Sequence, residues 1–356
     1  MENKRPRALE DLREEFVEKR RKKYLENLES FTEFDNFEYS FNNNDFSIVS
    51  KVPLDSTIFD ETSLNQTNIN ELLAFPEFIT CLDSLISEEV AQIKESLFFV
   101  RPEGSRALIY IKNNFATVYN KEGSVKNYFK IGLKGLTILD CVYYQSNSDN
   151  TLKTVNGNKS SKIHIYYVLD ILLLNGCILT TSELQCRLFF LNSIFDELNS
   201  SPNTLFKLVK YYEFDSKRLE SIYNSIDSDE YEYQTDSIVF VNKHSIYVGG
   251  YNPNWLCYKD SVLNKYVESE NVVCKLYNIN NELYTFDHVF VGKSGEEFKE
   301  KIVRIVVTDF RDFKVSYRIV GEGKSYKNPD SLRKIYVNYA NHKRTNTDFG
   351  KILKCL

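Results

Sequence analysis

The sequence predicts an α+β fold with mainly antiparallel sheets, and three observations carry that expectation. From Leu97 to about Lys259 the chain runs through short segments rich in β-branched and aromatic residues, separated by Gly, Asn and Ser turns. A helical period interrupts that run only once. The remaining helical patterns collect at the two ends, so strands and helices are segregated along the chain rather than alternating.

In chain order, residues 1 to about 30 read as one charged helix, because Leu9, Leu12, Phe16, Tyr24, Leu25 and Leu28 recur at intervals of three or four. Pro6 lies near the expected start, where proline is tolerated. The helix contains the basic run Lys19-Arg20-Arg21-Lys22-Lys23. Such a run serves either as a solvated helical face or as a nuclear-import signal fitting an acidic receptor groove. Residues 31–68 are acidic and Asn/Ser/Thr-rich without a clean period, which predicts a mostly disordered linker.

Between Ile69 and Ile93 the spacing of Leu72, Leu73, Phe75, Phe78, Ile79, Leu82 and Leu85 predicts helix. Strands are expected at Leu97–Val100, Ala107–Ile111, Thr137–Tyr144, Ile163–Leu174 and Ser237–Val241. The polar stretch 145–162 reads as a long hairpin loop. One helix is expected after Thr181-Ser182-Glu183, with Leu184, Leu188 and Leu191 on one face. Residues 261–356 form a β-rich extension, expected as a small appendage of OB-like type that ends in a basic helical piece.

Composition narrows the function. The chain has 356 residues, 45 basic against 50 acidic, for a net charge of −5. That balance argues against coating nucleic acid by bulk charge, so a nucleic-acid contact must be local. The seven cysteines include no C-x-x-C pair and the four histidines are scattered, so no metal site or cofactor is expected. Their odd number and apolar neighbours suggest reduced thiols in a cytosolic or nuclear protein. The charged N-terminus has no apolar signal core, and no apolar run approaches a bilayer span.

Four segments in order carry a resemblance. They are Arg101-Pro-Glu-Gly-Ser105-Arg106-Ala-Leu-Ile, Thr137-Ile-Leu-Asp140-Cys-Val-Tyr and Ile165-Tyr-Tyr-Val-Leu-Asp170-Ile-Leu. The fourth is Thr235-Asp236-Ser-Ile-Val-Phe240, followed by Asn252-Pro-Asn-Trp255-Leu. Over residues 69–260 the series resembles the cap-binding domain of the snurportin family, adaptors that carry trimethylguanosine-capped small nuclear RNAs into the nucleus. That domain is related to the nucleotide-binding domain of mRNA guanylyltransferases and DNA ligases. The N-terminal segment is similar, more weakly, to the family's importin-β-binding helix.

The resemblance implies a site. The enzymes' motif K-x-D-G-x-R presents a lysine nucleophile; here the stretch reads Arg101-Pro102-Glu103-Gly104-Ser105-Arg106. A nucleophilic amine must lose its proton, and arginine keeps its own throughout the accessible pH range. No catalytic residue is therefore expected. Trp255, the only tryptophan, stands where the family stacks the cap, although a tryptophan of this kind also serves as a core aromatic. A methylated guanine is a flat, delocalised cation suited to an aromatic face. Phe78 aligns with a second family aromatic and is equally suited to a core. Lys121, Arg101, Arg106 and Ser105 are the candidates facing cap phosphates, and Lys19 to Lys23 the candidates for importin-β. Asp170 and Asp236, metal-site positions in the enzymes, read as structural hydrogen-bonding residues.

The resemblance thus implies an adaptor shuttling between nucleus and cytoplasm. Its partners would be trimethylguanosine-capped RNA and importin-β, with an exportin a further candidate. Two alternatives stay open: a guanylyltransferase or ligase relative using another lysine, such as Lys112 or Lys121, and a cap-fold scaffold that docks proteins.

Overall fold

A computed structural model describes residues 72–79, 87–146 except 122, 163–198, 203–264 and 272–356, the last with short gaps at 287, 296–297, 300, 312–313, 324–328 and 344–345. The expectations for residues 1–30 and 31–68, the basic run 19–23, and most of the polar stretch 145–162 lie outside the described residues.

Two sheets form the first part of the fold. One has the order β1 (Ala74–Phe78), β12 (Gly250–Tyr258), β11 (Thr235–Asn242), β2 (Ser96–Pro102), β10 (Tyr212–Glu213). The other runs β5 (Val125–Lys130), β4 (Phe115–Asn120), β3 (Ser105–Lys112), β6 (Thr137–Ser146), β7 (Ile163–Leu174), β8 (Cys177–Ile178), with β9 (Thr204–Leu208) also on β7. All pairings are antiparallel except β1 with β12 and β7 with β9. The class is α+β with mainly antiparallel sheets.

The strand sequences show why the sheets stack. In β2, Leu97 and Phe99 join a core that includes Leu108 and Tyr110 of β3 and Val239 and Trp255 from the first sheet. The alternate residues Phe98 and Val100 join a second core on the far side. Likewise Ala107, Ile109 and Ile111 of β3 turn away into a third core with Leu191 and Ile194 of α2 (Leu184–Leu198). Strands buried on both faces give continuous apolar runs rather than alternation. The layers are helices, sheet, sheet, helix. On the outer side of the first sheet lie α1 (Ser87–Lys94), α3 (Ser216–Asp227) and α5 (Asn346–Cys355).

Three expectations are corrected. The segment at Ala74–Phe78, expected as helix, is an edge strand parallel to β12. Pro76 has no N–H for a helix interior but fits an edge strand. A second helix, α3, follows the one at 184: Asp215 caps it by accepting from the Arg218 amide at 2.8 Å, and Leu219, Tyr223 and Ile226 bury one face. The extension after residue 260 is not wholly separate. Phe349 of α5 stacks on Tyr223 at 3.7 Å and joins the core beside Phe98 and Ile79.

Between them, residues 272–343 form a third sheet of order β15 (Phe290–Lys293), β14 (Glu282–Tyr284), β13 (Val272–Ile279), β16 (Ile302–Arg311), β17 (Lys314–Glu322). Helix α4 (Leu332–Lys343) covers one face through Ile335. Counting its own strands from one, the order 3-2-1-4-5 is that of an opened five-stranded OB-type barrel. Its two edges approach where the Tyr317 hydroxyl donates to the Lys293 carbonyl at 2.8 Å.

Candidate functional site

Three buried or half-buried ion networks organise the motif residues. Arg106, on β3, points between the two sheets. Its Nε and Nη2 donate to both oxygens of Asp140 at 2.5 Å, and Nη2 reaches the Ala74 carbonyl at 3.0 Å. The Tyr247 hydroxyl donates to the same carboxylate at 2.6 Å and accepts from the Ala74 amide at 2.9 Å. Burial alone would lower the Arg106 pKa, but Asp140 more than offsets it and the guanidinium is held charged. Burial with Asp140 alongside pushes the Tyr247 phenol well up. The network pins the start of β1 by both its N–H and its C=O.

The second network is dry. Asp170 and Arg187 are both 0% exposed and bridge at 2.9 Å. Arg187 also donates to the Ser182 and Ser245 carbonyls at 2.5 and 3.0 Å, and its guanidinium lies 5.7 Å from the Tyr247 ring. Burial raises the Asp170 pKa against the opposing pull of Arg187. Asp170 thus clamps α2 through Arg187.

The third network is built on Arg101. Arg101 Nη1 meets Asp236 Oδ2 at 2.5 Å, and the Lys259 ammonium meets Oδ1 at 2.6 Å. Asn264 donates to Oδ1 as well, at 2.6 Å. Burial works against ionisation of Asp236, yet Arg101 and Lys259 outweigh it and hold its pKa at about 2. Two cations share one carboxylate, and all three side chains stay partly exposed. Gly104 in that turn has φ +144° and lies against the Tyr143 carbonyl, so a side chain there would collide with backbone.

Trp255 is fully buried in the core between the sheets. Phe99 and Tyr247 meet it edge-on at 6.4 and 6.1 Å, and the Arg106 guanidinium lies over its ring at 5.7 Å. It sits in a bulge. β1 pairs Pro76 with Asn252 and then Glu77 with Leu256, so the residues between are extruded from the β1 ladder. Two fully buried donors in this bulge, Trp255 Nε1 and Asn252 Nδ2, have no acceptor among the described residues. Each orphaned donor costs about 1–3 kcal/mol.

The structure therefore brings Arg106, Trp255 and the half-buried Phe78 into one core. In this arrangement Trp255 offers no open face, and Arg106 is committed to Asp140. Arg101 belongs to a different cluster, around Asp236. Lys121 lies exposed at the β4–β5 turn and Ser105 exposed at the start of β3. Sequence reasoning missed Tyr247, which touches both buried networks, and Lys259 as a partner of Asp236. A lysine just after the Trp255 strand was visible, but its partner came from the sheet register. A cavity of about 480 Å³ lies on the α3 side of the first sheet, lined by Glu103, Asp229, Tyr231, Tyr233 and Gln234 among others. Its carboxylates do not suit a phosphate chain.

The fold and motif order define a nucleotidyltransferase-like α+β domain in which Arg101 is ion-paired to Asp236. Residues 83–258, just under half the chain, match the family model described as Snurportin1, m3G cap-binding domain, and the chain is snurportin-like over those residues. No curated protein sequence matches the chain. Among solved structures, a mycobacterial DNA ligase D complexed with ATP and MES is similar at 10% identity, over 71% of this chain and 94% of that one, with a TM-score of 0.36. The Chlorella virus DNA ligase-adenylate is similar at 11% identity over 72% and 99%, TM-score 0.34. The ATP-dependent DNA ligase from bacteriophage T7 in complex with ATP gives 11% over 71% and 82%, TM-score 0.35.

Proposed function

We propose that this protein binds the trimethylguanosine cap of small nuclear RNAs and links them to importin-β for nuclear import, without catalysing nucleotidyl transfer. The match of residues 83–258 to the m3G cap-binding domain is the observation that carries the reading. Arg101 at the nucleophile position supports binding over catalysis, since its guanidinium keeps its proton and is tied to Asp236. Lys19 to Lys23 supply the importin-β contact in this reading, and an exportin would return the protein to the cytoplasm.

Cap stacking on Trp255 requires the Asn252–Leu256 bulge to open. The two orphaned donors make the closed bulge costly, and exposure to water or to a guanine oxygen would relieve that cost. The Trp255 ring already faces a flat delocalised cation in Arg106, and a methylated guanine has the same chemical character. Arg101, Lys259 and the exposed Lys121 and Ser105 are the groups this reading assigns to cap phosphates.

Because Trp255 is the sole tryptophan, its fluorescence reports this site alone. Titration with trimethyl and monomethyl cap dinucleotides should quench it and shift the emission of a buried indole, more strongly for the trimethyl cap. Trp255→Phe, which keeps an aromatic in the core, should weaken binding of the trimethyl cap measured by calorimetry. Absence of quenching and heat with either cap would overturn the reading in favour of a protein-docking scaffold.

A further inference from the structure

We propose that the exposed face of the C-terminal sheet, opposite α4, is a binding surface for single-stranded RNA. The proposal extends the cap-binding reading, on which it rests only for which RNA arrives; whether the face binds RNA is a separate matter.

Charge is unevenly divided. Residues 271–356 carry 16 Lys and Arg against 10 Asp and Glu, a net +6, while residues 1–270 carry 29 against 40, a net −11. The near-neutral whole hides a basic domain. On β13 the side chains alternate: Val272, Cys274 and Leu276 enter the core under α4, and Val273, Lys275 and Tyr277 face the other way.

Cross-strand pairing extends that second face. Lys275 pairs with Arg304, and Val273 pairs with Val306, which pairs in turn with Arg318. Like charges directly opposite each other are destabilising, yet Lys275, Arg304 and Arg318 make no ion pair among the described residues. An anion laid across the sheet would relieve that repulsion.

The next rung is aromatic. Tyr277 pairs with Tyr284 and Tyr284 with Phe290, so three rings lie side by side on neighbouring strands. Phe290 is 51% exposed. His288 stacks on Tyr277 at 6.1 Å and 16°. Glu282 is the one acid these rungs bring to the face among the described residues, and it stands opposite Lys293. A row of rings beside a row of cations matches unpaired bases and their phosphates: stacking needs no particular sequence, and the cations follow the backbone. The strand order is that of the OB-type barrel, whose second and third strands, here β14 and β15, are where oligonucleotides bind in that fold. A duplex hides its base faces and cannot use such rings.

The test uses the full chain and a short, fluorescently labelled, uncapped single-stranded RNA, followed by anisotropy, with the same sequence as a duplex for comparison. The single strand should bind more tightly than the duplex. Arg304→Glu combined with Arg318→Glu should weaken it at least tenfold, and Phe290→Ala about fivefold or more, in keeping with the loss of one stacked base. With three cations engaged, log K should fall with log salt with a slope of about −2. All of these residues are solvent-facing, so matching thermal melts confirm that the variants fold. Binding of the trimethyl cap dinucleotide should be unchanged in every variant. Equal affinity for single strand and duplex, or variants that bind like the parent, would overturn the proposal. If the chain ignores uncapped RNA but binds the cap dinucleotide, this surface falls and the cap reading stands; the opposite pattern leaves the surface and removes the cap site.

Discussion

The two-sheet domain and the C-terminal sheet treat positive charge in opposite ways. In the first, Arg106, Arg187, Arg101 and Lys259 each meet a carboxylate at 2.5 to 2.9 Å, and most of these partners are buried. In the second, the side chains of Lys275, Arg304 and Arg318 stand in adjacent rungs and make no ion pair among the described residues; from Lys275, Asp330 accepts only the backbone amide. The difference separates two uses of the same side chains. A neutralised, buried cation specifies packing, because removing either partner strands a charge in a dry core. An open cation contributes little to the fold and remains available to a polyanion.

The strongest way to break the comparison is at Asp170 and Arg187. Arg187→Met should destabilise the protein by about 3–5 kcal/mol, since it leaves Asp170 charged and dry; chemical denaturation measures it, and a loss below about 1 kcal/mol would place Arg187 with the open cations. Replacing both partners by apolar residues should recover much of the loss. Trp255→Ala should cost a similar amount, about 3–5 kcal/mol, by emptying the core between the sheets, whereas Trp255→Phe should cost less. A tryptophan that is free to leave the core would show a smaller cost for Trp255→Ala.

Asp236 sharpens the contrast through pH. Its folded pKa of about 2 lies below the ordinary carboxylate value of about 3.9. Its contribution to stability is therefore full above about pH 4 and is lost as pH falls through about 2. Asp236→Asn should remove that part of the acid limb, on the order of 2 kcal/mol, in stability measured from pH 6 to pH 2. Retention of the parent's acid limb would mean that Arg101 and Lys259 do not hold the carboxylate in solution. The smallest effect belongs to the open face. Arg304→Glu should change stability by no more than about 0.5 kcal/mol, and it should favour the fold if relief of the repulsion with Lys275 dominates. A loss above about 2 kcal/mol would show that Arg304 packs rather than waits.

Much of this was legible in the sequence. The strands from Leu97 to Val241 are visible as apolar, β-branched runs, and Ile163–Leu174 agrees with its strand end to end. Helix α2 announces itself by Leu184, Leu188 and Leu191. Ala74–Phe78 was read as helix because Leu72, Leu73, Phe75 and Phe78 also fit a 3.6-residue period, and only the pairing with β12 decides between the two. Pro76 was the local signal for an edge strand. Helix α3 carried a cap signal in Asp215 that strand-like neighbours obscured. The motif order singled out Arg101, Arg106 and Trp255 as candidates, but not what they touch. Ion pairs such as Arg106–Asp140 span 34 residues and depend on the register of β3 with β6. The charge division at residue 271 could be counted from the sequence, yet its meaning depends on which residues share a rung.

The return of α5 to the first sheet governs the order in which this molecule can be made. Phe349 and Ile352 complete a core begun by Ile79, Phe98 and Val100, some 250 positions earlier. During synthesis the part of that core that α5 closes stays uncovered until residues 346–355 have left the ribosome, and such exposed apolar surface is where chaperones engage and aggregation starts. A released chain ending at residue 343 should hold a finished C-terminal sheet and an unfinished first domain, so the region made last but one would mature before the region made first.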